Sequence, residues 1–315
     1  MKHWIEAARL RTLPLSVSGI LVGSFYALAK PTEQELTPTN VFSWKIFGLL
    51  LLTTIGLQVL SNFANDYGDG VKGTDNEDRV GPKRAIQSGA ISPKAMKSAI
   101  IITAFITFLL AVLLIYTAFH FKYFYYSLFF LALGIIAIAS AIQYTVGTGA
   151  YGYKGYGDVF VFVFFGLVST YGSYFMFSKE FDWTLLLPAT AIGFLSVGVL
   201  NLNNMRDEES DRKVGKNTIV VKIGGAKAKQ YHYFLLITAM ILLLIFGFLQ
   251  NFAIDQYLYV IVFLPIISHI LRVKRTENPA DLDPELKRLA ISTFMVSMLL
   301  SLCLIYFLSD ILVNN

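Results

Sequence analysis

Two carboxylates and two amides lie where a long apolar segment ends. The run 46–65 holds twenty uncharged residues, among them Asn62 and Asn65, and Asp66 and Asp69 follow it. At 100° per residue, these four side chains fall within an arc of about 100° on one helix face. Carboxylate and amide oxygens are the ligands that suit a hard cation such as Mg²⁺.

Basic residues come directly after this acidic group. Cations of this kind hold phosphate oxygens. Carboxylates for a metal, followed by bases for an anion, predict a Mg²⁺–diphosphate site. The alternative is a solvated loop of mixed charge. The basic residues are Lys72, Arg79, Lys83 and Arg84.

A second stretch repeats the same arrangement. Asn204 lies near the end of the uncharged run 183–205, and Asp207 and Asp211 follow that run. The three residues lie at positions i, i+3 and i+7, which form one helical stripe. Two such stretches at the ends of membrane-length segments favour a shared site over two unrelated charged loops. Its cations are Arg206, Arg212, Lys213, Lys216 and Lys222.

Composition places the chain in a membrane. It has 315 residues, of which 55% are hydrophobic and 15% charged, and its mean hydropathy is +0.59. A hydrocarbon core of ~30 Å needs about 20 apolar residues per helix. We predict one all-α domain, residues 1–315, built as a single bundle of nine transmembrane helices. The nine runs are 12–29, 46–65, 99–119, 123–153, 159–178, 183–205, 230–254, 256–271 and 289–309.

The distribution of basic residues predicts the orientation of the bundle. Of 26 lysine and arginine residues, only Lys30, Lys45, Lys122 and Lys179 fall on one side. The positive-inside rule therefore places the amino terminus and both acidic stretches in the cytoplasm and the carboxyl terminus outside. The net charge of +5 requires no nucleic-acid partner, because the excess lies in loops beside anionic lipid and the predicted diphosphate.

Residues 144–158 form a third informative connection, in which five glycines alternate with four tyrosines around Lys154. This composition predicts a closely packed aromatic pocket wall. The alternative is an interfacial aromatic belt with glycine turns.

The carboxyl-terminal third predicts little chemistry. Cys303 is alone in the last span, and the four histidines show no spacing typical of zinc or haem. The segment 272–288 reads as a charged, solvated loop.

The two acidic stretches resemble the signature of the UbiA-type intramembrane prenyltransferases. The first motif of that family, N-D-x-x-D, matches Asn65-Asp66-x-x-Asp69, and the second, D-x-x-x-D, matches Asp207-x-x-x-Asp211. The segments 72–75 and 215–218 are similar to the branch that uses 1,4-dihydroxy-2-naphthoate in menaquinone biosynthesis. Two departures are Gly73, where the family often has a third aspartate, and the absence of prolines from the 144–158 loop.

This resemblance implies a Mg²⁺-dependent enzyme of the cytoplasmic (plasma or inner) membrane with its active site facing the cytoplasm. It would transfer a polyprenyl group from polyprenyl diphosphate to the naphthoate with loss of CO₂, giving demethylmenaquinol. The implied catalytic residues are Asp66, Asp69, Asp207 and Asp211. The implied metal ligands are the same four with Asn62. The implied diphosphate ligands are Asn65, Lys72, Arg79, Lys83, Arg84, Asn204, Arg206 and Lys216. The implied contacts of the aromatic acceptor are Tyr144, Tyr151 and Lys154.

Two other functions fit parts of the pattern. A related prenyltransferase would use 4-hydroxybenzoate, homogentisate or a glycerol phosphate as acceptor. A transporter would also carry acidic residues, but near the membrane midplane, whereas these charges cluster at one face.

Overall fold

Helix covers most of the chain in the structure, a computed structural model that describes residues 2–30, 42–75 and 80–314. The side chains of residues 11 and 307–314 lie outside that description. The described residues contain no β-strand, which confirms the predicted all-α class.

The helices begin where the sequence supplies caps. Ser43 accepts a hydrogen bond from the Ile46 amide at 3.4 Å, and Ser92 accepts one from the Ala95 amide at 3.2 Å. Pro93 takes the first helical position, where its missing N–H costs nothing. The α-helices are α1 (Lys2–Ala8), α2 (Leu13–Ala29), α3 (Trp44–Lys72), α4 (Pro93–Phe119), α5 (Phe124–Gln143), α6 (Gly157–Val161), α7 (Ser173–Ser178), α8 (Leu186–Arg206), α9 (Glu208–Lys213), α10 (Ile219–Ile223), α11 (Gly225–Leu249), α12 (Phe263–Arg275) and α13 (Asp283–Asn314).

Eight helical segments of the described chain are long and apolar enough to cross a membrane. A ninth span exists if α1 and α2, which are bent by 52° at Arg9, are taken together. The count of nine and the orientation of the termini therefore stay predictions. The eight segments are Trp44–Lys72, Pro93–Phe119, Phe124–Gln143, Gly157–Ser178, Trp183–Arg206, Gly225–Leu249, Ile254–Arg275 and Pro279–Tyr306.

Two boundaries predicted from hydropathy are wrong. The run 123–153 is too long, because α5 ends at Gln143 and the glycine-rich residues after it form turns. The loop predicted at 272–288 is too long, because α12 extends to Arg275 and α13 begins at Asp283. Most of its charged residues lie on these two helices, and Glu285 is only 3% exposed.

The helix α8 lies at the centre of the bundle. It packs against α11, against α13 and against the segment that joins α6 to α7. That segment, Phe162–Gly172, is π-helical. A π-helix is rare and is frequently found at functional sites. The first long helix, α2, packs against the last, α13, so the two ends of the chain meet within the bundle.

A polar network ties the helices together at the end of the bundle away from both acidic stretches. Asp182 accepts hydrogen bonds from Tyr26 at 2.6 Å and from the Thr184 hydroxyl at 2.8 Å, and it pairs with Lys30. Gln250 donates to Thr184 at 2.8 Å. These bonds join the ends of α2 and α11 to the turn before α8.

Gly68 allows α3 to approach the turn after α5. A Cβ at Gly68 would lie 2.5 Å from Thr145 Oγ1, whereas one at Gly48 on the same helix would meet nothing within 4 Å. We expect Gly68→Ala to lower the unfolding temperature of the purified protein in detergent, because overpacking costs about 1–3 kcal/mol. Gly48→Ala gains helix propensity without a clash and should leave that temperature unchanged or slightly higher. Equal effects of the two substitutions would contradict the close contact.

Candidate active site

The first acidic stretch holds Asp69 between two side chains from outside its helix. Asp69 Oδ2 accepts from Arg84 Nη1 at 2.9 Å, and Asp69 Oδ1 accepts from the Tyr153 hydroxyl at 2.8 Å. Arg84 also donates to the Asn65 carbonyl oxygen at 3.1 Å and pairs with Asp75. Burial acts to lower the pKa of Arg84, but the neighbouring carboxylates outweigh it and raise the pKa, so the guanidinium stays charged.

Asp66 has a different environment from Asp69, although both belong to one motif. Its two carboxylate oxygens accept hydrogen bonds from the backbone amides of Ala85 and Ile86, at 3.2 and 3.3 Å. Asp66 therefore fixes the turn that carries Arg84. Each of its oxygens keeps a lone pair for another ligand.

The second acidic stretch is organised around Arg206. Its guanidinium binds both oxygens of Asp207, at 2.8 and 2.7 Å, and Asn203 Oδ1 at 2.9 Å. It reaches Asp283, in the first turn of α13, at 2.5 Å. This fork geometry fixes the planes of both groups. Arg206 is 4% exposed, so the pair is removed from water.

Asp211 and Lys216 face each other across the turn after α9. Lys216 Nζ lies 3.3 Å from Asp211 Oδ1, while Asp211 Oδ2 is buried without a hydrogen-bond partner. Burial raises the pKa of Asp211 to about 6, even though Lys216 acts to lower it. For Lys216, burial acts to lower the pKa, but Asp69 and Asp211 together raise it.

Both stretches therefore share one electrostatic site. Lys216, from the second stretch, acts on the charge of Asp69 in the first. Arg84, from the first side, is influenced by Asp207 in the second. They meet at the polar end of a cavity of about 810 Å³ that extends between the helices. Its polar lining includes Asn62, Asn65, Asp69, Arg84, Asn203, Arg206 and Lys216, and its apolar lining includes Leu15, Ile20, Leu114, Phe130, Phe164 and Val168.

The glycine- and tyrosine-rich loop supplies an aromatic part of the cavity wall. Tyr144 and Tyr151 both line the cavity, with ring centroids 5.3 Å apart, and Tyr151 stacks on Phe160 at 3.8 Å. A Cβ at Gly157 would lie 3.1 Å from the Tyr144 ring, which is a tight contact, so glycine favours this close packing. Burial raises the pKa of Tyr144 to about 12, which keeps its hydroxyl protonated at neutral pH.

The structure does not bring every predicted residue to the cavity. Lys154 is exposed and does not line the cavity, and its carbonyl oxygen accepts a hydrogen bond from Lys222, so its role as an acceptor contact stays a prediction. Lys72 donates to the Thr145 carbonyl oxygen at 2.7 Å and lies over the Tyr153 ring. Asn204 is buried away from the cavity.

Three further residues predicted for the site remain to be placed. Asn62 lines the cavity, but its amide nitrogen donates to the Ala8 carbonyl oxygen at 2.9 Å and so holds the bend between α1 and α2. Lys83 lines a smaller neighbouring cavity of about 510 Å³ together with Asp66. Arg79 lies outside the described residues.

Sequence reasoning missed Tyr153. Its hydroxyl bonds Asp69 and also Thr74 at 2.5 Å, and its ring lies 5.8 Å from Lys216 Nζ. It thus connects the first acidic stretch with the second. The tyrosine-rich loop indicated an aromatic wall, but nothing in its spacing singles out the one tyrosine that reaches an aspartate.

Sequence reasoning also missed the partners on α13. Asp283 binds Arg206, and the buried Glu285 accepts a hydrogen bond from His269 at 2.6 Å. His269 in turn lies 2.9 Å from His232. The carboxyl-terminal helices therefore carry a buried polar chain that the isolated histidines in the sequence did not suggest.

The charge balance of this region fits a bound divalent cation. Within the described residues, five buried carboxylates lie here with three cations whose side chains are at most 12% exposed. An excess of buried negative charge is costly unless a cation offsets it. Within the described residues, no three acidic, histidine or cysteine side chains are grouped so that they could hold a metal ion together. Four of the five carboxylates are paired with arginine or lysine. The carboxylates are Asp66, Asp69, Asp75, Asp207 and Asp211, and the cations are Arg84, Arg206 and Lys216.

Comparison with known proteins identifies the class of this helical, charge-lined site. Residues 35–291 match the UbiA prenyltransferase family. The chain belongs to this family and is a multi-pass membrane prenyltransferase. It is 41% identical over 306 residues to the 1,4-dihydroxy-2-naphthoate octaprenyltransferase of Haemophilus influenzae, covering 97% of this chain and 96% of that one. The Escherichia coli protein of the same name is 39% identical, with 94% and 92% covered.

Solved structures share the fold. A UbiA homolog from Archaeoglobus fulgidus bound to GPP and Mg²⁺ matches with a TM-score of 0.67 at 16% identity, over 98% of this chain and 99% of that one. The apo structure of a UbiA homolog from Aeropyrum pernix matches with a TM-score of 0.65 at 15% identity, over 92% and 99%. The predicted UbiA membrane fold is confirmed.

The hydroxyl of Tyr153 should matter for prenyl transfer. Tyr153→Phe removes the bonds to Asp69 and Thr74 but keeps the ring near Lys72 and Lys216. We expect kcat/KM to fall about tenfold or more, because a hydrogen bond to a charged group contributes about 1.5–3 kcal/mol. The measurement is prenyl transfer by purified protein in detergent. Tyr156→Phe, on the exposed side of the same loop, is the matched control and should keep full activity. An active Tyr153→Phe protein would rule out this contribution.

Proposed function

We propose that this protein transfers a polyprenyl group from polyprenyl diphosphate to 1,4-dihydroxy-2-naphthoate in a Mg²⁺-dependent reaction, forming demethylmenaquinol for menaquinone biosynthesis. One structural observation carries the proposal: Asp69 and buried cations from both acidic stretches line the polar part of a largely apolar cavity. That combination suits a substrate with a diphosphate at one end and a hydrocarbon chain at the other. The names of the relatives support the naphthoate as acceptor.

Carboxylates from both stretches are the proposed magnesium ligands. Asp211 has a buried oxygen without a partner, Asp69 faces the cavity, and Asp66 keeps lone pairs on its anchored oxygens. Asp207 and Asn62 complete the proposed set. The binding of GPP and Mg²⁺ by the Archaeoglobus homolog supports this assignment. Bound Mg²⁺ supplies Lewis-acid stabilisation of the departing diphosphate.

The basic residues of the site would neutralise the negative charge of the diphosphate. In the structure, Arg84, Arg206 and Lys216 are paired with aspartates of the two stretches. We infer that they turn in part to the diphosphate oxygens once the carboxylates bind metal, so that no buried charge is left unpaired. Asn65 lines the cavity beside them. Lys72, Lys83 and Asn204 remain predicted diphosphate ligands that would have to act from outside this cavity. Arg79 also remains a predicted ligand, and it lies outside the described residues.

The reaction exchanges one bond for another. The C–O bond of the prenyl diphosphate breaks, and diphosphate leaves with the electron pair. A C–C bond forms between the prenyl C1 and the ring carbon that bears the carboxylate, and CO₂ leaves with the restoration of the aromatic ring. Tyr144, Tyr151 and Phe160 offer π-faces that stabilise positive charge developing on the allylic group. The apolar wall keeps water from this carbon.

We propose that the site faces the cytoplasm and that the protein lies in the plasma or inner membrane. The asymmetry of lysine and arginine between the two sides supports this orientation. The naphthoate is a charged, water-soluble acceptor, and a site at the cytoplasmic face gives it access without crossing the bilayer.

The first experiment incubates detergent-solubilised protein with the naphthoate, a polyprenyl diphosphate and Mg²⁺, with and without EDTA. Mass spectrometry should detect a prenylated product that has lost the carboxylate, and EDTA should abolish it. A product formed only from 4-hydroxybenzoate or homogentisate would replace the naphthoate proposal by a related transferase. Product formation undiminished by EDTA would reject the metal.

Two of the three acidic residues of α9, Asp211 and Glu209, provide a matched pair for the metal proposal. Asp211→Asn removes a buried carboxylate, and we expect prenyl transfer to fall about 100-fold, the scale of losing one electrostatic contact to the developing charge. The Mg²⁺ concentration for half-maximal activity should also rise. Glu209→Gln changes an exposed group on the same helix and should alter neither quantity. Full Mg²⁺-dependent activity of Asp211→Asn would exclude Asp211 as a ligand.

A further inference from the structure

A positive surface lies on the first turns of α13, just beyond Asp283, which pairs with Arg206 of the second acidic stretch. Glu285 is 3% exposed, and its Oε1 accepts from Arg272 Nε at 2.8 Å and from Arg288 Nη1. Its other oxygen, Oε2, accepts a hydrogen bond from His269 Nδ1 at 2.6 Å. Two guanidiniums therefore share one carboxylate, which leaves an excess of one positive charge at this point.

Part of this surface faces the main cavity. Lys287 and Arg288 line the cavity, whereas Arg272 does not. The excess charge is therefore available to a ligand inside the cavity. A second lysine beside it adds to the positive potential there.

The other basic residues of the cavity lie with the acidic stretches. Arg84, Arg206 and Lys216 are each paired with an aspartate of those stretches, and Arg9 acts on the charge of Asp69. They belong to the region proposed for the diphosphate and metal. The acceptor of the proposed reaction carries a carboxylate of its own, and Lys154, predicted for it, lies outside the cavity.

We propose that Arg288, held by Glu285, binds the carboxylate of the aromatic acceptor, with Lys287 beside it. This role rests on the proposed function, and it makes Arg288 the residue that recognises the carboxylate of the acceptor. The bond to Glu285 uses Nη1, and the edge formed by Nε and Nη2 matches a carboxylate in bidentate geometry. Glu285 is the positioning residue, because it fixes the direction of the guanidinium.

A buried chain behind Glu285 keeps it in place. His269 is 1% exposed and His232 is fully buried, and their Nε2 atoms lie 2.9 Å apart. A carboxylate held by a buried histidine and two arginines has little freedom to turn. Arg288, whose side chain is 53% exposed, is therefore held beside the cavity by contacts that reach from α11 through α12 to α13.

The test compares Arg288→Gln with wild type in full-length protein in detergent, varying each substrate in turn. We expect the KM for the naphthoate to rise about 10- to 100-fold, the effect of losing one charge-assisted bond. The KM for the polyprenyl diphosphate should stay within about twofold. Arg275→Gln, an exposed arginine at the end of α12, should change neither KM. Arg288→Lys keeps the charge without the fork and should give an intermediate value.

A ligand without the acid group separates recognition from general damage. The inhibition constant of 1,4-dihydroxynaphthalene should be the same within about twofold in wild type and Arg288→Gln, because this diol has no carboxylate to lose. An unchanged naphthoate KM would overturn the inference, as would equal increases for both substrates or for the diol. Those results leave the proposed function standing. Absence of any product from wild type and the naphthoate would reject both. If Arg288→Gln fails to fold, Arg288→Lys carries the same comparison.

Discussion

The compensation of buried carboxylates by buried cations is the constraint on which the site depends. Asp69, Asp207 and Asp211 each lie at the end of an apolar helix or just beyond it, and each contacts an arginine or a lysine. Leaving one of these charges without a partner would cost several kcal/mol. The loops after α3 and α8 are therefore not independent. Each must fold so that its cations reach the carboxylates, and Lys216 acts on both stretches at once.

Close helix contacts bring those loops together. Gly68 lets α3 lie against Thr145, and Gly157 lets the loop close on Tyr144. Thr145 Oγ1 donates to the Ala64 carbonyl oxygen at 2.9 Å, so the loop after α5 is also bonded to α3. Lipid tails are as apolar as the helix surfaces, so the hydrophobic effect does not drive membrane helices together. Small residues at their contacts let the backbones approach closely instead. The loop after α5 also brings the Tyr153 hydroxyl within hydrogen-bond distance of Asp69.

The features of the fold that depend on local composition can be predicted from the sequence. Apolar runs of membrane length and acidic motifs at their ends were sufficient to predict the helical bundle, the family and the joint site. The predicted end of α5 is wrong, because residues 144–153 carry no charge and so extend an uncharged run, whereas their glycines do not continue the helix. Partners such as Asp283 and His269 were missed because contacts between distant helices leave no mark in local spacing.

The two aspartates of the first motif show what spacing leaves open. They lie three residues apart on one helix face, and the sequence gives no reason to distinguish them. In the structure Asp69 lines the cavity and accepts hydrogen bonds from Arg84 and Tyr153. Asp66 instead accepts hydrogen bonds from two backbone amides of the turn that carries Arg84. One aspartate acts on the cavity and the other shapes the loop that supplies its cation. Motif membership therefore indicates a shared site, while the contacts made from outside the helix determine the part each carboxylate plays in it.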